Sequence, residues 1–137
     1  MRSVAHYFPT TARILMGLIF FVTGLNGFMN FIPPPKSPMS QGAAAFIAAL
    51  MHTGYMLRLV MGTQLVVGIL LLTNRFIPLA LALVAPIIIG IVTFHIFLER
   101  SGLPLAVVVV VLEIYLAWSY RKSFLPMLAM KTPADVK

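Results

Sequence analysis

The chain has 137 residues, of which 61% are hydrophobic and 9% charged, with no cysteine and a net charge of +7. Ordinary soluble domains carry roughly 25% charged residues, so this chain cannot cover a water-facing surface and its natural solvent is lipid. The basic residues are scattered around apolar runs, which excludes a nucleic-acid face, and the lack of cysteine excludes disulfides, thiolate metal sites and cysteine redox chemistry.

The length suits one compact domain, 1–137. Residues 1–11 form a short lead-in with His6, Tyr7 and Phe8, expected to be broken by Pro9. A first span follows at about 12–31, ARILMGLIFFVTGLNGFMNF. At about 1.5 Å per residue, some 20 residues cross a hydrocarbon core of about 30 Å. No small-x-small cleavage site follows the apolar run, so it reads as an uncleaved span, not a signal peptide. Gly17 and Gly24 fall near one face with Gly27 close by, a small-residue side that lets another backbone approach.

Pro33, Pro34 and Pro35 stop the helix, since proline lacks the N–H donor and clashes with the preceding turn. Residues 41–51, QGAAAFIAALM, are helix-prone but too short to span and read as a short interfacial helix. His52 there reads as a solvated residue. The second span covers about 55–73, with Arg58 one turn inside and able to snorkel, and Gln64 near its middle. A very short turn at Asn74-Arg75 leads to a third span at about 77–98, which contains Pro86 and is expected to kink there. Residues 99–103 turn the chain into a fourth span at about 104–120; its five valines, Val107 to Val111, read as helix in lipid. Residues 121–137 form a basic tail. The fold class is therefore all-α: a polytopic membrane protein with four transmembrane helices in an antiparallel bundle, plus the interfacial helix between helices 1 and 2.

Four spans put both termini on one side. Arg2, Arg13, Arg75, Arg121, Lys122, Lys131 and Lys137 fall on that side, and only Lys36, Arg58 and Arg100 on the other. The bias places the N- and C-termini in the cytoplasm, in a membrane such as the bacterial inner membrane.

Topology fixes the depth of the polar groups. Asn26 closes the outer end of span one, Arg58 opens span two from the same side, and His95 and Glu99 lie at the outer end of span three. Gln64 and Glu113 each lie about 13 Å below that surface, while the inner halves of the spans are nearly free of polar groups. His95 and Glu99, four apart, share a helix face. Glu113 shares its face with Ala106, Ala117 and Tyr120, so a carboxyl there needs partners; Gln64, His95 and Arg58 are the candidates. An ionisable residue inside a span is a site hypothesis by default. Two readings stand: a shallow outer pocket that binds, or moves a proton for, a small polar head group such as a quinone, or interhelical hydrogen-bond glue. A metal site from His95, Glu99 and Glu113 is conceivable, but the spacing is unspecific, and no metal is expected. The chain carries no phosphate loop, nucleophile elbow, paired cysteines or CxxCH.

The stretch RILMGLIFFVTGLNGF resembles the R-x-L-L-G-x-x-F-x-x-x-G-x-x-K-F opening of the DoxX-like family. GYMLRLVMGTQLVVGILLL resembles that family's second helix, and the segment from Pro78 to Leu128 the second half of its shorter members, with Phe94-His95 and Glu113 in place. Gly27 stands where a lysine is common and Gln64 where many members have glutamate, which weakens any charge-based chemistry. The resemblance implies a small four-helix membrane protein; some relatives are subunits of a thiosulfate:quinone oxidoreductase or partners in oxidative-stress complexes. It carries over His95, Glu113 and Gln64 as functional positions.

Three functions follow as expectations. The first is an accessory subunit of a redox or respiratory-type membrane complex, in contact with the bilayer and other membrane subunits, without an intrinsic cofactor but able to meet a quinone. The second is a quinone-linked oxidoreductase subunit with His95 and Glu113 handling protons. A small transporter is disfavoured, because polar groups in one half of the bundle give no continuous path.

Overall fold

The computed structural model describes residues 4–134. Among them every regular element is helical: α1 (Val4–Met29), α2 (Gln41–His52), α3 (Met56–Leu72), α4 (Ile77–Phe97), α5 (Leu103–Ser119) and a terminal turn α6 (Arg121–Phe124), with 3₁₀ turns at Arg100–Gly102 and Leu125–Leu128. Tyr7–Met29, Ile77–Phe97 and Arg100–Ser119 are long and apolar enough to cross a membrane. Helices α2 and α3 are bent by 92° at their junction and make a fourth crossing when taken as one broken span.

The expected element order is present, with one correction at the start. Helix α1 runs through Pro9 from Val4, so Pro9 does not break the lead-in. Pro9 removes only the bond that its N–H would give the Ala5 carbonyl, close to the helix start where the first N–H groups are free in any helix. At its other end α1 stops at Met29, before the prolines. Asn30 adopts φ 49°, its N–H bonds the Asn26 carbonyl at 2.9 Å, and Asn26 Oδ1 accepts the Ile32 N–H at 2.7 Å. Asparagine tolerates this left-handed conformation at a helix C-terminus, so the helix ends two residues before the expected 31. Helix α4 continues through Pro86 to Phe97.

Four helices close a ring: α1 packs on α3, α3 on α4, α4 on α5, and α5 back on α1. Its core is Met16, Phe20, Val67, Leu71, Leu81, Val84, Val109 and Leu116 with their neighbours. The α1–α3 contact is the most extensive, and the two helices run antiparallel, with Gly17 beside Leu72, Phe21 beside Gly68, Gly24 beside Leu65 and Gly27 beside Met61. This is the close approach that the small face of the first span leads one to expect, and Gly68 supplies it from the other side. A Cβ on Gly24 would lie 2.5 Å from Leu65 N, and one on Gly68 would lie 2.7 Å from Phe21 Cα. The two backbones therefore touch, with no side chain between them.

Helix α2 lies across one end of this ring. The opposite end, where α1 begins, collects Arg13, the Asn74-Arg75 turn and α6. Tyr120 and Phe124 pack against the core there, so the basic tail starts as an ordered turn and not as a loose extension. Arg2 and Lys137 of the charge count lie outside the described residues, as does the side chain of His6.

Candidate functional site

The six polar residues singled out above separate into three places. Gln64 is buried at the α1–α3 contact, where its Oε1 accepts from the Thr23 hydroxyl at 3.0 Å; that hydroxyl also reaches the Ile19 carbonyl at 2.8 Å. Its partner is thus a threonine on α1, not Glu113. Thr23 and Gln64 are the chain neighbours of Gly24 and Leu65, so the bond forms where the backbones are held closest.

The α2 end holds a second group. Glu99 Oε2 accepts the Ser40 N–H at 2.8 Å, and the Ser40 hydroxyl donates to the Leu98 carbonyl. The same Ser40 oxygen accepts the Ala43 N–H at 3.2 Å and caps α2. Phe46 stacks at 5.6 Å on Phe94. His95 Nδ1 lies 2.7 Å from the Glu99 carbonyl, and its ring occupies the space that a side chain at Gly102 would need. Glu99 and His95 do share a neighbourhood, as their spacing implies, but both are used to fasten α2 and the α4–α5 turn. Asn26 is spent on the Ile32 N–H, and Arg58 is exposed at the start of α3.

The Ser40 N–H, with help from Ser101, holds the Glu99 carboxyl below its usual range. A lowered carboxyl stabilises its contact above the ordinary carboxylate range and loses it as pH falls through the lowered value. The expected result is that pepsin cleavage in the 31–39 loop rises several-fold on strong acidification in the native chain, and that Glu99→Gln abolishes this extra rise. An equal rise in both would assign no role to the carboxylate.

The third place is Glu113. It is half-buried on α5 and opens into a groove of about 300 Å³ between α4 and α5, lined by Ala85, Ile88, Ile89, Val92, Thr93, Val110 and Ile114. Ile89 and Ile114 on its rim are 66% and 64% exposed, so the groove faces the outside of the ring and not its axis. Glu113 Oε2 is buried and has no hydrogen-bond partner among the described residues. The other polar group in the groove, the Thr93 hydroxyl, is bonded to the Ile89 and Gly90 carbonyls of its own helix.

The expectation that Gln64, His95 and Arg58 converge on Glu113 is therefore corrected. Gln64 and His95 bond elsewhere, none of the three lines the Glu113 groove, and no cluster of three or more His, Asp or Glu that could hold a metal forms among the described residues. The conceivable set of His95, Glu99 and Glu113 is not assembled.

Sequence reasoning also missed Arg13. It is 7% exposed, and its guanidinium donates to the Leu71 carbonyl in the last turn of α3. The half of the bundle read as free of polar groups thus contains a buried cation. Two signals pointed to it: an arginine one residue inside an apolar run, and the arginine that opens the family-like stretch.

The family model described as DoxX matches residues 8–96, which include Arg13, Gln64 and His95 and stop short of Glu113. Searches of curated proteins and of solved structures give no match.

Proposed function

The chain belongs to the DoxX family, and from that premise we propose that it serves as an accessory subunit of a redox or respiratory-type membrane complex. It crosses the membrane four times as an antiparallel bundle, with the broken α2–α3 unit taken as one crossing. Its termini are cytoplasmic, as the surplus of basic residues at the end where α1 begins supports.

The observation that carries this reading is the unpartnered Glu113 oxygen in a groove open to the lipid side. A buried polar atom left unbonded costs about 1–3 kcal/mol, and in hydrocarbon no water replaces the missing partner. The groove is apolar apart from two groups, and one of those is already used. A side-chain donor on a neighbouring subunit's helix would satisfy Glu113 and bury Ile89 and Ile114 together. A second reading rests on the same oxygen: a quinol hydroxyl arriving through the bilayer would donate to it, with the ring in the groove.

Complex size and quinone-dependent turnover separate the two. In native membranes extracted with mild detergent, the chain is expected in a larger complex. Glu113→Gln keeps an acceptor and should keep that complex, with turnover unchanged. Glu113→Leu should lower recovery of the complex about tenfold, the effect of losing roughly 1.4 kcal/mol. Turnover lost in Glu113→Gln with the complex intact favours the quinone reading, and a chain that always runs alone overturns the accessory role.

A further inference from the structure

A second groove lies beside the far end of α5. It has a volume of about 760 Å³ and runs from Val111 and Ile114 past Trp118 to the terminal turns, where Phe124, Leu125 and Leu128 form its other wall. Its lining is apolar apart from the Tyr115 phenol and Arg121, which stands where α5 gives way to the terminal turns. The Arg121 guanidinium sits 4.8 Å over the Trp118 ring, and one of its N–H groups donates to the Trp118 carbonyl at 3.0 Å. A guanidinium has five N–H donors, so most remain free to face outward. Lys122 follows directly, and the Arg75 turn lies at the same end of the bundle.

We propose that this groove is a seat for an anionic phospholipid, one acyl chain along Val111, Ile114 and Trp118 and the head-group phosphate against Arg121. Charge complementarity selects this occupant. A slot lined with exposed aliphatic and aromatic side chains suits an acyl chain, and a fixed arginine in its lining suits a phosphate, which guanidinium groups bind in bidentate fashion. The tryptophan next to the arginine marks the depth at which amphipathic rings meet head groups. Phe124, packed on the core, holds the second wall in place. Glu113 lines the other groove, and Ile114 stands on the ridge between the two and lines both.

Trp118 is the single tryptophan of the chain and lines the groove, so it reports occupancy directly. The full chain is reconstituted in mixed phosphatidylcholine and phosphatidylglycerol vesicles with bromine on the acyl chains of one lipid only. At equal mole fraction, brominated phosphatidylglycerol should quench Trp118 through binding about fivefold tighter than brominated phosphatidylcholine, the preference that one cation facing an anionic lipid supplies. Arg121→Gln should remove the preference. Arg75→Gln, which loses the same charge outside the groove, should retain it. Equal quenching by the two lipids overturns the proposal. So does a preference that Arg75→Gln loses and Arg121→Gln keeps, or protection of Trp118 from both lipids, which would place protein in the groove.

Discussion

Gly68→Ala should lower the thermal stability of the purified chain, although alanine is the better helix former by about 1 kcal/mol. The reason is the α1–α3 contact. A methyl group at Gly68 arrives 2.7 Å from Phe21 Cα, and one at Gly24 arrives 2.8 Å from Leu65 Cα. Both obstacles are backbone, which cannot swing aside, so the helices must separate. Overpacking of this kind costs about 1–3 kcal/mol, and separation also stretches the Thr23–Gln64 bond one turn away. Gly90 provides the contrast. It lies in α4, and a Cβ there meets nothing within 4 Å. Gly90→Ala should therefore raise stability by up to about 1 kcal/mol, while Gly68→Leu should yield little folded protein. Thermal unfolding in one detergent compares them; Gly68→Ala melting above the native chain would mean that the two backbones are not in contact.

The second large effect is expected at Arg13. Its partner, the Leu71 carbonyl, belongs to the last turn of α3, where carbonyls lack partners within the helix. A cation there also meets the negative end of the helix dipole. Arg13→Ala removes a buried, charge-assisted bond and leaves a cavity beside Met16 and Leu71. A loss of about 2–4 kcal/mol is expected, from the bond to a charged group and the lost packing together. Arg13→Lys should recover only part of it, because an ammonium on a flexible stem does not reproduce the planar fork. If Arg13→Ala unfolds at the native temperature, the guanidinium contributes nothing to holding α1 and α3 together.

These two sites show what a single sequence discloses. Helix positions were legible because the apolar runs are long and the breaks are chemically sharp: Pro33 to Pro35, the Asn74 turn, and Glu99 to Gly102. The close face of Gly24 was legible for the same reason, since small residues seven apart lie on one side of any helix. Pro9 misled because a proline's cost depends on which rung it removes, and that depends on where the helix starts. Partner choice was the least legible. Gln64 was read toward Glu113 from equal depth alone, but depth does not fix rotation about the helix axis. The close contacts of Gly24 with Leu65 and of Gly68 with Phe21 set that rotation, and it turns Gln64 to Thr23. Arg13 enters the sequence reading only through the charge bias of the termini side, because its acceptor is a main-chain carbonyl, which no residue type announces.

The helices also differ in length, and the bilayer must answer for it. The apolar part of α1 covers 23 residues, Tyr7–Met29, whereas the crossing that contains α5, Arg100–Ser119, covers 20; at helical rise these are about 35 Å and 30 Å, the first longer than a hydrocarbon thickness of about 30 Å and the second equal to it. One flat film cannot match both. A helix longer than the film is accommodated by tilt or by local thickening of the bilayer, so the surplus falls on α1. The α1 side is thus where this protein first registers a thinner membrane.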